Sequence, residues 1–225
     1  MALKINRTVT RITRIVGWGL IILILAAFAK VYIWERSYYK RESITPRSDA
    51  VAVITKLPKL QNVSVSKPTE EDYTNHQSEA RNPRYLKIER LNLDAIVTRG
   101  NVSNDGQLQY PSNIYELSWY SGSSTPGNNG VVLISGISKY SSEDGILNNL
   151  DSLEEGDKIT VETGDSSTYT YVVKTTSICS NKEAETVLPK AEQRIEGEET
   201  LSLIATNDGN SSFVVVKAVL ESQNK

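Results

Sequence analysis

Val131-Val132-Leu133-Ile134-Ser135-Gly136-Ile137 is the stretch whose reading decides the fold. It follows a turn, Pro126-Gly127-Asn128-Asn129-Gly130. An uninterrupted apolar run of this length after a turn signal reads as a strand buried on both faces. A second run of the same kind, Leu201-Ser202-Leu203-Ile204-Ala205, stops at Thr206-Asn207-Asp208-Gly209-Asn210. Buried strands that end at polar or glycine-bearing positions deliver side chains to a common place. The ends of these two strands are therefore where functional residues are sought.

Outward from them, residues 84–225 read as an all-β domain. Residues 85–88 and 93–97 alternate as half-buried strands do. Asn104-Asp105-Gly106 is a tight turn, and residues 158–162 and 168–175 bracket Gly164-Asp165 as a hairpin. Ile146, Leu147, Leu150 and Leu153 stand at helical spacing, which predicts one short helix or helical turn, broken by Glu155-Gly156-Asp157. Residues 213–220 form a last strand, and the polar segment 180–199 is expected as a long loop with or without a short helix, where loops border binding sites. About eight strands with one or two short helices predict a mainly β domain, a closed barrel or a sandwich.

Toward the N-terminus, residues 1–14 are basic, with Lys4, Arg7, Arg11 and Arg14, and read as a cytoplasmic segment. Residues 15–34 are apolar except for Lys30, and as a helix they would span about 30 Å, a bilayer core. Trp18, Tyr32 and Trp34 stand at the ends of the run, as interfacial aromatics do. The expectation is a single-pass signal anchor with the following domain extracytoplasmic. Ala27-Phe28-Ala29 offers the alternative of a cleaved signal peptide. Residues 35–83, with prolines at 46, 58, 68 and 83, read as an extracytoplasmic linker or stalk, and His76 within it as a solvated histidine.

The 225 residues carry a formal net charge of −2, which gives no reason to expect nucleic acid as a partner. The single cysteine, Cys179, permits no intrachain disulfide, and one cysteine with one histidine cannot assemble a His/Cys metal site. No metal and no cofactor is expected. Any Cys–His catalytic pair would have to join Cys179 to His76.

Four stretches, in this order and spacing, resemble the sortase family of membrane-anchored transpeptidases. They are Asp105-Gly106-Gln107-Leu108-Gln109-Tyr110-Pro111; Ser118-Trp119-Tyr120 with Thr125-Pro126-Gly127-Asn128-Asn129-Gly130; the strand 131–136; and Leu147-Asn148-Asn149-Leu150 with Leu153-Glu154-Glu155-Gly156-Asp157-Lys158-Ile159. The pattern is most similar to the short single-domain sortases of classes E and F. The resemblance implies an eight-stranded β-barrel with a groove for a peptide sorting signal. It also implies a cysteine nucleophile, a histidine that protonates the leaving amine and an arginine that holds substrate and oxyanion.

Mapped onto this chain, the histidine position is Ile137, the residue after Gly136. The cysteine position is Thr206, and the arginine position is Ser212, with a latitude of about one residue. Isoleucine cannot titrate, so acid–base help of about 10²–10⁴ is lost. A threonine hydroxyl is a poor nucleophile without an activating base, and Asp208 nearby in sequence is a weak one. Ser212 carries no charge. Cys179 would need a cationic neighbour, Lys182 being nearest in sequence, to become a reactive thiolate. The expectation is a membrane-anchored, catalytically silent member of the family, without catalytic residues. It would bind a surface-protein segment, a sorting-signal peptide or a sortase partner, with Gly136, Asp208 and Cys179 as groove residues. The alternatives are a divergent active transpeptidase using Thr206 with Asp208, or Cys179, and a structural subunit of a surface assembly.

Overall fold

The computed structural model describes residues 57, 60–102, 107–191, 198–207, 209 and 212–224. The expected anchor, cytoplasmic segment and first part of the linker lie outside them. Among the described residues no helix is long and apolar enough to cross a membrane.

The chain forms a short helix α1 (Glu70–Asn75) and then strands β1 (Pro83–Ile88), β2 (Leu93–Gly100), β3 (Leu117–Tyr120), β4 (Val131–Tyr140) and β5 (Glu143–Asp144). These are followed by β6 (Lys158–Thr163), β7 (Thr168–Ser180), a helix α2 (Ala184–Ala191), β8 (Thr200–Asn207) and β9 (Ser212–Asn224). Eight strands close a barrel in the order β3-β2-β1-β6-β7-β9-β8-β4, and β3–β4 pairing seals it. The two-residue β5 extends from the end of β4. The pairs β2–β3 and β4–β8 are parallel and the rest antiparallel.

The alternation of side chains explains why the opening stretch reads as continuously apolar. Val132 and Ile134 enter the barrel core with Leu201, Leu203 and Ala205 of β8. Leu133 points the other way, into a second cluster with Ile204, Phe213 and Val215. That cluster is covered by Ala184 and Leu188 of α2. Both faces of β4 are buried, from Val131 through Ile137. The helical spacing at 146–153 resolves into turns and one 3-10 turn, Leu150–Ser152, in which Leu150 is buried.

The start of the β4–β8 pair is fastened by a buried carboxylate. Glu199, 5 % exposed, accepts from the Gly127 amide at 2.9 Å, the Asn129 amide at 3.2 Å and the Tyr171 hydroxyl. Gly127 has φ +82°, and a Cβ there would meet the Tyr169 ring at 2.8 Å, so the turn before β4 requires glycine twice over. Burial, and then the charge of Glu199, push the Tyr171 phenol far above its ordinary range, so it stays a donor.

Residues 60–83 depart from the linker expected of their composition. Ser64 pairs in parallel with Asn113, its amide donating to the Ser112 carbonyl at 2.7 Å while the Ile114 amide donates to the Ser64 carbonyl at 3.0 Å. Helix α1 is opened by a capping box, with Thr69 and Asp72 satisfying each other's backbone amides. Tyr73 stacks on Tyr85 with centroids 6.2 Å apart. His76 is half-buried rather than solvated: a ring nitrogen lies 3.1 Å from the Val97 carbonyl, and the ring meets Tyr85 edge-on. Aromatic packing and backbone bonds hold this segment where its low hydrophobicity gave no sign of it.

Candidate functional site

Parallel pairing of β4 with β8 sets Ile137 directly beside Thr206 in register. The two sequence-predicted positions are thus brought together by the strands that end at them. The ladder shifts between Ile137 and Lys139, and there the Ser138 hydroxyl donates to the Thr206 carbonyl at 2.9 Å. Gly136 is dictated by packing: a Cβ would lie 2.6 Å from Leu117 Cδ2 and 2.7 Å from Leu147 Cδ1. Ile137 is fully buried and Thr206 is 4 % exposed.

The remaining predicted residues are placed differently. Ser212 opens β9, half-buried and in register with Ser180 of β7. The next residue, Phe213, is buried in the second cluster and pairs with Cys179. Neither position therefore presents a guanidinium or any charge. Asp208 lies outside the described residues. Cys179 is buried on β7, two strands from β8 across β9, or about 10 Å at ordinary strand spacing. Burial, and then the nearby Glu183 charge, raise its thiol pKa, the opposite of what a nucleophile needs. His76 sits against β2, with β3 between it and β4. It is therefore joined neither to Cys179 nor to Thr206.

Two residues missed in the sequence complete the site. Tyr110 is half-buried, but its hydroxyl is buried, beside Thr206 and short of good hydrogen-bond geometry. Burial holds its phenol far above the ordinary range, the Thr206 hydroxyl drawing it partly back, so Tyr110 remains neutral and cannot serve as a base. Leu60 packs on Ile114 and Ile137 with Val63, Tyr110 and Tyr140 around them. The site end of β4 is therefore roofed by apolar side chains from the chain's own N-terminal segment. Tyr110 lies inside a motif already quoted, and its proximity to Thr206 depends on the path from β2 to β3, which no spacing rule reveals. Leu60 had only the weak signal of an isolated apolar residue in a polar stretch. Among the described residues no group of three or more His, Cys, Asp or Glu is arranged to hold a metal ion.

Chemically, the pair Ile137–Thr206 offers one hydroxyl with no base among its described neighbours. An apolar, uncharged floor suits van der Waals and backbone contacts better than proton transfer.

Comparison with known proteins agrees with this architecture. A model of the sortase domain matches residues 86–221. Among solved structures, the pilus-related sortase C of Group B Streptococcus superposes with a TM-score of 0.52 at 14 % identity, covering 76 % of this chain and 80 % of that one. Sortase C of Streptococcus pneumoniae gives 0.50 at 19 %, covering 74 % and 83 %. Sortase C-1 from Actinomyces oris gives 0.47 at 16 %, covering 61 % and 72 %. No curated protein matches. With the domain model spanning more than half of the chain on a closed eight-stranded barrel, the protein belongs to the sortase family.

Proposed function

We propose that this protein is a membrane-anchored, extracytoplasmic sortase homologue whose reactive centre is silent and whose groove face binds without cleaving. The single observation that carries the reading is the register pair Ile137–Thr206, where the family's chemistry needs a histidine and a cysteine. The neutral Tyr110 beside it, with its hydroxyl buried, and the tethering of the sole histidine to Val97 support the same reading. The ligand class is an extended segment of a surface protein, of the sorting-signal kind, or a sortase partner carrying one. Solved structures named as pilus-related sortases make a surface-protein ligand the natural class to try first. The apolar run 15–34 supplies the anchor, and the likeness to the short sortases of classes E and F belongs to this reading.

The test is binding by the full chain in detergent. Fluorescent sorting-type peptides should bind saturably and be recovered intact. A Thr206→Arg change, which fills the Ile137–Thr206 end with a long cation, should abolish that binding if the folded barrel survives by circular dichroism. No binding by any sorting-type peptide, together with no capture of a surface protein by cross-linking, would contradict the proposal.

A second reading, a divergent transpeptidase, rests on the Thr206 hydroxyl at the cysteine position. Turnover abolished by Thr206→Ala would establish it.

A further inference from the structure

A closed barrel has no free edges, but β7 outruns its neighbour. Strand β6 pairs with β7 only from Thr168 to Val172, and the last bonds on that side join Val173 to Gly156 and Asp157. A bulge between Val173 and Thr175 follows, and from Thr175 to Ser180 the strand continues paired to β9 alone. The Ser180 amide on the open side is taken by the Glu183 carboxylate at 2.8 Å. By the two-residue alternation of a strand, the backbone groups of Thr176 and Ile178 face the same open side. No hydrogen bond to them is found on that side among the described residues. Ile178 is the most exposed large apolar residue among the described residues, at 67 %. Unpaired strand edges bearing an exposed apolar residue are templates for another strand.

We propose that this edge pairs with the same edge of a second copy of the chain, antiparallel, about a two-fold axis through Ser177. Charge selects the occupant. Lys174 and Glu183 flank the open stretch at opposite ends, and Lys174 has no ion-pair partner among the described residues. Antiparallel self-pairing brings each lysine to the other copy's glutamate, whereas a parallel copy would set like charges together. In this register Thr176 of each copy exchanges both backbone bonds with Ile178 of the other. Ser177 faces itself as a non-hydrogen-bonded pair, with Cα atoms about 4.5 Å apart. Ile178 lies across from the other copy's Thr176, a favourable β-branched pair, and the two Ile178 side chains sit diagonally about 7–8 Å apart. The bond from Glu183 to Ser180 ends the ladder on both sides, which limits the contact to a short, reversible one.

The test uses the full chain in detergent. With Cys179→Ala removing the native thiol, Ser177→Cys should form a disulfide-linked dimer on mild oxidation, in a yield that falls on dilution. Thr175→Cys, on the same edge but off the axis, should cross-link several-fold less. Adding Lys174→Glu to Ser177→Cys should lower the yield several-fold, and adding Glu183→Lys as well should restore it. In the native chain, exchange of the Thr176 and Ile178 amides should slow as concentration rises. Equal cross-linking from positions 175 and 177, or indifference to charge reversal, would overturn the proposal. So would amide protection that persists in the monomer, because the chain's own segments would then already occupy the edge.

Discussion

The two ends of the β4–β8 pair are built on opposite principles. At the start, a buried charge is fully engaged, with Glu199 accepting from Gly127, Asn129 and Tyr171. At the far end, Ile137 and Thr206 are roofed by Leu60 and Tyr110, and the buried Tyr110 hydroxyl lies beside Thr206 without a well-formed hydrogen bond. Polar groups in low dielectric stabilise when satisfied and destabilise when left alone. The latch end therefore specifies the geometry of the two strands. The site end, where the proposed reading seeks the family's chemistry, is packed as core.

This contrast predicts effects of opposite sign. The largest belongs to the latch: Glu199→Ala leaves two amides and a phenol unpaired and should cost about 3–5 kcal/mol in chemical denaturation. Glu199→Gln, which keeps an acceptor, should cost about 1–2 kcal/mol. A latch that tolerates alanine would erase the distinction between the ends. Next comes Gly136→Ala, whose added methyl meets Leu117 and Leu147 and should cost about 1–3 kcal/mol through overpacking. Tyr110→Phe then sharpens the comparison, because removing an unpartnered buried hydroxyl should be neutral or stabilise by up to about 1 kcal/mol. A loss above that would reveal a polar role at the site end.

The smallest effect is a pH dependence in α1. Hydrogen bonds from the backbone and then the side chain of Thr69 lower the Asp72 pKa. A carboxylate whose folded pKa is depressed stabilises above its unfolded value, about 3.9, and that contribution fades as pH falls through the folded pKa. Amide exchange in α1 should therefore accelerate selectively in acid, and Asp72→Asn should flatten the profile.

Much of the fold was legible in the sequence because the strands carry it locally. The run 131–137 and its partner 201–205 were readable from composition, and the parallel register of β4 with β8 then brought Ile137 to Thr206. What escaped was non-local or compensated. The β2-to-β3 path carries Tyr110 to Thr206, a juxtaposition that exists only once the barrel closes. Residues 60–83 looked like a linker because few of them are apolar, yet Leu60, the Ser64 pairing and the Tyr73–Tyr85 stack hold them to the barrel. The capping box at Thr69 and Asp72, which the reading of this segment as a linker passed over, opens α1. The latch was not legible, since Glu199 looks like one more acidic residue in a charged loop until the Pro126–Gly130 turn is folded against it.

The central claim is that the Ile137–Thr206 end binds without reacting. The most direct measurement is turnover of a fluorogenic sorting-type peptide by the full chain, with an amine acceptor present. The account predicts no product above the uncatalysed background, unchanged in Thr206→Ala and Cys179→Ala. Transpeptidation or hydrolysis that is present in the native chain and disappears in either variant would contradict it.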